Sequence, residues 1–284
     1  MGLDINAYNF LKYLTRNNEV LGKTLTIGRH EDHLLNPYRW INPNTGLTEK
    51  YCEPILMHEF KASIVHSVDA SNYENATFVQ DLNKPWTCKE LTKQKYLTIL
   101  DFGTLEHVFN IPQALNSLAD SCEVGGKIIH VQLHSDFCGH GFYQFSAELF
   151  HSWYSKKNGF EDVEIFIVPY TRPNLWFRCL KPKSGDRCEL SGRGVPNSFI
   201  LVKAIKSKEI NNRVCMQSDY LDTWEKNKII NLKAPSKTFL YRIKELIPYI
   251  LKSKIKAKLY KFGILLWWKS PYLIKENFKD LLKK

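Results

Sequence analysis

Residues 96–133 constrain the fold more than any other part of this chain. Tyr96-Leu-Thr-Ile-Leu-Asp101 is a short apolar and β-branched run that ends in an acid. A small-residue turn carrying Glu106-His107 follows, then a helix-like segment over Pro112–Cys122, the pair Gly125-Gly126, and a second apolar run over Lys127–Leu133. Strand, polar loop, helix, glycine turn and strand make an α/β unit. Its loop leaves the carboxyl end of a strand, where open α/β sheets bind ligands.

The same alternation extends in both directions. Strands are expected over Lys23–Gly28, Ser63–Asp69, Ala76–Asp81, Phe160–Pro169 and Asn197–Lys206, and helices over residues 4–20 (with Asp4 as cap), Pro54–Phe60 and 145–158, the last with Phe150 and Trp153 inward. Residues 29–54 and 171–196 are turn-rich and read as irregular. Strands alternating with helices, then a late pair of strands joined directly, predict a seven-stranded mixed sheet with helices on both faces. Three of the strands end in acids: Asp69, Asp81 and Asp101.

At Asp101-Phe-Gly-Thr-Leu-Glu-His-Val108 and Val124-Gly-Gly-Lys-Ile-Ile129 the chain resembles the class I S-adenosylmethionine-dependent methyltransferases. The first stretch is similar to their fourth-strand motif and the second to the turn entering their fifth strand. Within that superfamily, Gly139-His-Gly-Phe-Tyr-Gln-Phe-Ser-Ala-Glu-Leu-Phe150 resembles a segment of little-characterised bacterial members, with Ala147 where their pattern has Pro. The resemblance covers about residues 20–205 and implies a Rossmann-like sheet, S-adenosylmethionine as cofactor, and methyl transfer to an oxygen or nitrogen nucleophile.

The residues themselves allow such a site. Gly28 and Asp69 end two buried strands, one suited to close backbone approach and the other to holding adjacent ribose hydroxyls. The resemblance implies that Asp69 holds the ribose, that Asp81-Leu82 meets the adenine, and that Asp101 to Gly103 lies under the methionine part. The departure is Gly28-Arg-His-Glu-Asp32, which has one glycine where family members carry several. Acids also end strands as ordinary turn residues.

Glu106 and His107 leave the fourth strand beside the place where a transferable methyl would point. An imidazole suits a base that takes a proton from the acceptor, and Glu106 could orient it or hold the cofactor's amino group. His107 packed under the following helix is the plain alternative. His140, between two glycines, is a rival base, with Phe142 and Tyr143 beside it to shape a substrate pocket. A metal is not favoured: methyltransferases with a related Glu-x-x-Glu-His sequence bind a divalent ion, but the first Glu position here is Gly103, although Glu106, His107 and His134 or His140 would still make three ligands. Seven scattered cysteines (Cys52, Cys88, Cys122, Cys138, Cys179, Cys188 and Cys215) form no Cys-x-x-Cys, which fits a reducing cytoplasm.

Charge divides the chain. Of 40 Lys/Arg and 29 Asp/Glu, residues 233–284 hold fourteen of the first and three of the second, so the whole excess of +11 lies there and residues 1–232 are neutral. This predicts a methyltransferase-like domain over 1–206, a linker over 207–232, and a basic amphipathic helical extension over 233–284. Leu251, Ile255, Leu259 and Phe262 share a helical face, and Trp267-Trp268 follow. Cations beside paired Trp suit the surface of an anionic membrane leaflet, which places the protein in the cytoplasm or peripherally on the inner face of the membrane. Docking on the core or dimerisation uses the same features, whereas nucleic acid is a disfavoured partner. The expected acceptor is a small molecule or a glycan precursor at that surface. The alternative is a catalytically silent member of the fold that binds a membrane or a partner.

Overall fold

The computed structural model describes residues 2–35, 41, 43–44, 48–182, 197–217, 220 and 273–283. After a two-residue strand β1 (Gly2–Leu3), helix α1 (Ile5–Leu14) starts where Asp4 accepts hydrogen bonds from the backbone N–H groups of Asn6 and Ala7 at 2.9 and 2.8 Å. There follow β2 (Gly22–Ile27), β3 (Glu31–Asp32), α2 (Glu53–His58), β4 (Ala62–Asp69), β5 (Phe78–Val79), α3 (Lys89–Thr92) and β6 (Tyr96–Phe102). The second half holds α4 (Ile111–Ser121), β7 (Cys122–Ser135), α5 (Ala147–Trp153), β8 (Phe160–Pro169), β9 (Leu175–Cys179), β10 (Ser198–Lys206), β11 (Leu273–Asn277) and α6 (Phe278–Leu281).

The main sheet runs β11-β9-β8-β10-β7-β6-β2-β4-β5, with nine strands among the described residues. Its β5 to β7 half is parallel, whereas β10, β8, β9 and β11 pair antiparallel. The seven strands from β8 to β5 in this order are the Rossmann-like mixed sheet expected from the sequence. The additions are β9, inside a stretch read as irregular, and β11, inside the stretch read as a helical extension. The late strands β8 and β10 are therefore not joined directly, since β9 comes between them in the chain.

Both faces of the sheet are covered, so strand residues bury in alternation. Ile99, Ile128, Ile165, Ile167, Ile200 and Val202 face α3, α4 and α5. Leu100, Ile129, Phe166, Val168 and Leu201 face α1, α2 and α6. Aromatic rings fill the second face, with Phe166 and Trp176 at 5.0 Å and Trp176 stacked on Phe278 at 5.2 Å.

The end of the basic segment thus belongs to the core. β11 pairs with β9 from Leu273↔Cys179 to Asn277↔Leu175. Arg178 on β9 joins Glu164 on β8 at 2.8 Å and Glu276 on β11 at 3.0 Å, while Tyr13 on α1 donates to Glu164 at 2.6 Å. Residues 221–272, including the face through Leu251 and the Trp267-Trp268 pair, lie outside the described residues. Among the described residues, no helix is long and apolar enough to cross a membrane.

One buried cation closes the first face. Lys206 is fully buried, and its ammonium donates to the carbonyls of Ala119 and Cys122 at 2.7 and 2.8 Å, capping α4. Lys206→Met keeps the apolar stem but strands those carbonyls. Urea unfolding is expected to show a loss of about 2–4 kcal/mol, against under about 0.5 for the exposed Lys279→Ala.

Candidate active site

β6 ends in Asp101, a carboxylate with no solvent exposure that accepts four donors. One oxygen takes the backbone N–H groups of Thr104 and Leu105 at 3.1 and 3.3 Å. The other takes Gln132 Nε2 at 2.6 Å and His130 Nδ1 at 2.7 Å. His130 Nε2 in turn accepts from the buried Tyr154 hydroxyl at 2.5 Å. Four donors saturate a carboxylate. Asp101 is therefore not open to a methionine moiety, as the resemblance implied; it holds the turn that presents Glu106 and His107. Gly103 makes that turn with φ +84.

The turn continues as one 3-10 turn, Leu105–His107. The Glu106 side chain is fully buried, and neither carboxylate oxygen has a hydrogen-bond partner. Its carbonyl accepts from the N–H of Phe142 at 2.7 Å, which presses the Gly139–Gly141 loop onto it. A Cβ on Gly141 would stand 2.8 Å from the Glu106 carbonyl oxygen, and φ there is +80. This explains Gly141, whereas a Cβ on Gly139 would meet nothing within 4 Å. His107 Nε2 lies 3.9 Å and His140 Nε2 4.0 Å from Glu106 Oε1, with both imidazoles half exposed. The ligand atoms of the three residues all lie within 4.8 Å of one another. His107 is thus at the site's surface and not packed under the helix. Burial, then the nearby Asp101, pushes Glu106 up to about 8, and burial with His140 lowers His107.

The expected cofactor residues are less uniform. Asp69 ends β4 half-buried, and its carboxylate accepts one long hydrogen bond, 3.4 Å from the Ser71 N–H. Gly28 has φ +80, but a Cβ there would meet the Thr104 hydroxyl at 2.7 Å, so a protein side chain already stands beside it. Arg29 is engaged by Glu53 at 2.7 Å and by the Glu74 carbonyl at 2.8 Å, and lies over the Tyr51 ring. His30 is buried on Phe102, and burial lowers it to about 4. Asp81 is spent locally on Asn83 and Lys84, while Asn83 accepts from the Asn110 N–H at the start of α4. Leu82 packs in the core, not as an open wall for an adenine.

A cavity of about 770 Å³ opens beside His140, lined by Phe102, Leu133, Phe137, Tyr170 and Phe199 among others. Phe142 and Tyr143 do not line it. Phe142 sits exposed, edge-on to Phe109, and Tyr143 donates to the Phe109 carbonyl at 2.9 Å. Another cavity, about 800 Å³ between α5 and β8–β9, touches none of the candidate residues. Sequence reasoning missed His130 and Gln132, although two polar residues alternating with Ile129, Val131 and Leu133 were a visible signal of an inward polar face.

Gly28, Asp69 and the Glu106 turn all leave the carboxyl ends of adjacent parallel strands, β2, β4 and β6, in the seven-stranded frame the resemblance implies. The described strands form a Rossmann-like mixed sheet with these loops at one end of its parallel half. No protein-family model matches the chain, and no curated protein does. Among solved structures, it is similar to the N-methyltransferase NodS from Bradyrhizobium japonicum, solved with S-adenosylhomocysteine: 10% identity, 72% of this chain and 88% of that one, TM-score 0.39. A methyltransferase from Thermotoga maritima gives 15%, 71%, 91% and 0.36 in the same order. Phosphoethanolamine N-methyltransferase 2 from Haemonchus contortus gives 16% identity and a TM-score of 0.36 over 56% of this chain, which spans only 37% of that protein. Scores this low carry no functional weight, and the chemistry has to be read from this chain's own residues.

Glu106 yields a pH signature. The folded state keeps its proton up to about 8, whereas the ordinary value is 4.5. Between those limits the folded state binds more protons, so this group's contribution to stability falls as pH rises. In chelator-treated protein, the stability of Glu106→Gln minus that of the parent should grow from near zero at pH 4.5 to a plateau above pH 8. Thermal midpoints measured across that range check it.

Proposed function

We propose that this chain is an S-adenosylmethionine-dependent methyltransferase that transfers methyl to an oxygen or nitrogen nucleophile. The observation that carries this reading is Asp69, whose carboxylate at the end of β4 has little internal bonding and accessible acceptor capacity for two ribose hydroxyls. Bound S-adenosylmethionine would supply an electrophilic methyl group. The chain's own contribution is to hold the ribose at Asp69, to place the acceptor in the cavity beside His140, and to remove the acceptor's proton. His107 and His140 are half exposed at the turn and suit that last role.

The apolar lining of the 770 Å³ cavity favours an acceptor with an aromatic or aliphatic part. A glycan precursor fits this only through an attached lipid, and the basic segment before β11 supplies a reason for such a substrate to be met at an anionic surface. The silent-module reading is favoured by one feature, the Thr104 hydroxyl beside Gly28.

Calorimetry with S-adenosylhomocysteine separates the two. The parent protein should bind, and Asp69→Ala should weaken binding at least tenfold with the fold intact, since charge-assisted hydrogen bonds contribute about 1.5–3 kcal/mol each. No binding by the parent selects the silent module. Equal binding by Asp69→Ala removes Asp69 from the site. For the surface reading, full-length protein should bind vesicles with anionic lipid, more weakly as salt rises and without loss of the part due to Trp267 and Trp268. Co-sedimentation of Trp267→Ala/Trp268→Ala with the same vesicles isolates that part.

A further inference from the structure

We propose that Glu106, His107 and His140 bind a first-row divalent metal ion of the zinc type. A buried carboxylate without any hydrogen-bond partner is costly, and proteins resolve that cost by pairing the group or by coordinating a cation. Glu106 is such a group, and no described donor satisfies either oxygen. What faces it are two imidazoles, at 3.9 and 4.0 Å from Oε1, each half exposed. Ligand bonds of about 2.0–2.2 Å bring ligand atoms to roughly 3.4 Å of one another in a tetrahedral site. Each imidazole therefore needs to approach Glu106 by about half an ångström, and the set, whose atoms lie within 4.8 Å of one another, to tighten by at most about 1.4 Å, a movement open to half-exposed imidazoles on a turn and a loop.

The backbone prepares this arrangement. Asp101 pins the turn before Glu106 through the Thr104 and Leu105 amides. The Glu106 carbonyl takes the Phe142 N–H, which fixes the loop carrying His140. His134, the other nearby imidazole, is turned to the Phe145 carbonyl at 2.8 Å and takes no part. Two imidazoles and one carboxylate suit zinc, manganese or iron better than magnesium or calcium, which prefer oxygen donors throughout. Three protein ligands also leave a coordination position open, as catalytic sites do. His140 lines the 770 Å³ cavity, which puts one ligand of the ion beside the acceptor's proposed place. If the methyltransferase reading holds, the two imidazoles serve as ligands in place of bases, and the ion would bind an oxygen of the acceptor, orient it and lower its pKa.

The test uses untagged full-length protein after chelator dialysis. Co²⁺ titration followed by visible absorption, and calorimetry with Zn²⁺, should show one site per chain. Glu106→Gln and His140→Ala should each weaken binding at least tenfold, and His134→Ala should leave it unchanged. His140 sits on an exposed loop, so its variant should fold even if Glu106→Gln does not. Absent binding, or binding equal in the parent and His140→Ala, overturns the site. S-adenosylhomocysteine binding is measured on the same preparations. Metal bound without S-adenosylhomocysteine leaves the site standing and fells the methyltransferase reading, while the reverse result fells only the metal site.

Discussion

Everything at the candidate site depends on one buried carboxylate. Asp101 accepts two backbone amides from the turn after β6 and two side chains from the neighbouring strand β7. The amides fix the geometry of the turn, and the side chains tie that turn to the centre of the sheet. Without them, nothing on the β6 side would hold the short 3-10 segment in the position that sets Glu106 inside and His107 outside. The arrangement also explains an energetic oddity: the chain buries a second carboxylate, Glu106, close to the first. One acid is saturated by donors, while the other has none, so two chemically similar groups have opposite roles. Such a split between neighbouring acids is characteristic of sites tuned for function more than for stability.

Most of the architecture was legible because the strands are buried on both faces. Runs such as Lys127–Leu133 and Phe160–Pro169 are apolar enough to need a layer above and below them, and period and length then separate strands from helices. β9 and β11 were not legible for the same physical reason in reverse. β9 is five residues long with Arg178 in its middle, and β11 reads Leu-Ile-Lys-Glu-Asn. Strands at this end of the sheet are specified by their ion pairs and by the partner they meet, here Arg178 with Glu276, and local composition does not reveal them.

The site was legible in part. Glu106, His107 and His140 were singled out from their place after strands and between glycines, and the structure brings the three together. The internal partners of Asp101 and Asp81 were not legible, because a strand-ending acid looks the same in sequence whether it faces solvent or its own protein. Only partners distant in the chain decide the matter: Gln132 lies 31 residues from Asp101, and Asn110 lies 27 from Asn83. The crowding of Gly28 by Thr104 is of the same kind, a contact across 76 positions that no local motif encodes.

The pairing of β11 with β9 has a consequence for biosynthesis. Helix α1 packs against Phe166 and Trp176, and that layer is completed by Phe278, which stacks on Trp176. At translation rates of roughly 5–20 residues per second, α1 emerges on the order of ten to fifty seconds before the strand and ring that finish its cover. The nascent chain therefore carries the Trp176 surface and the unpaired edge of β9 from residue 179 until β11 and Phe278 are made, about a third of the 284 residues. Until then that edge is open to mispairing, and it closes only when β11 and Phe278 arrive.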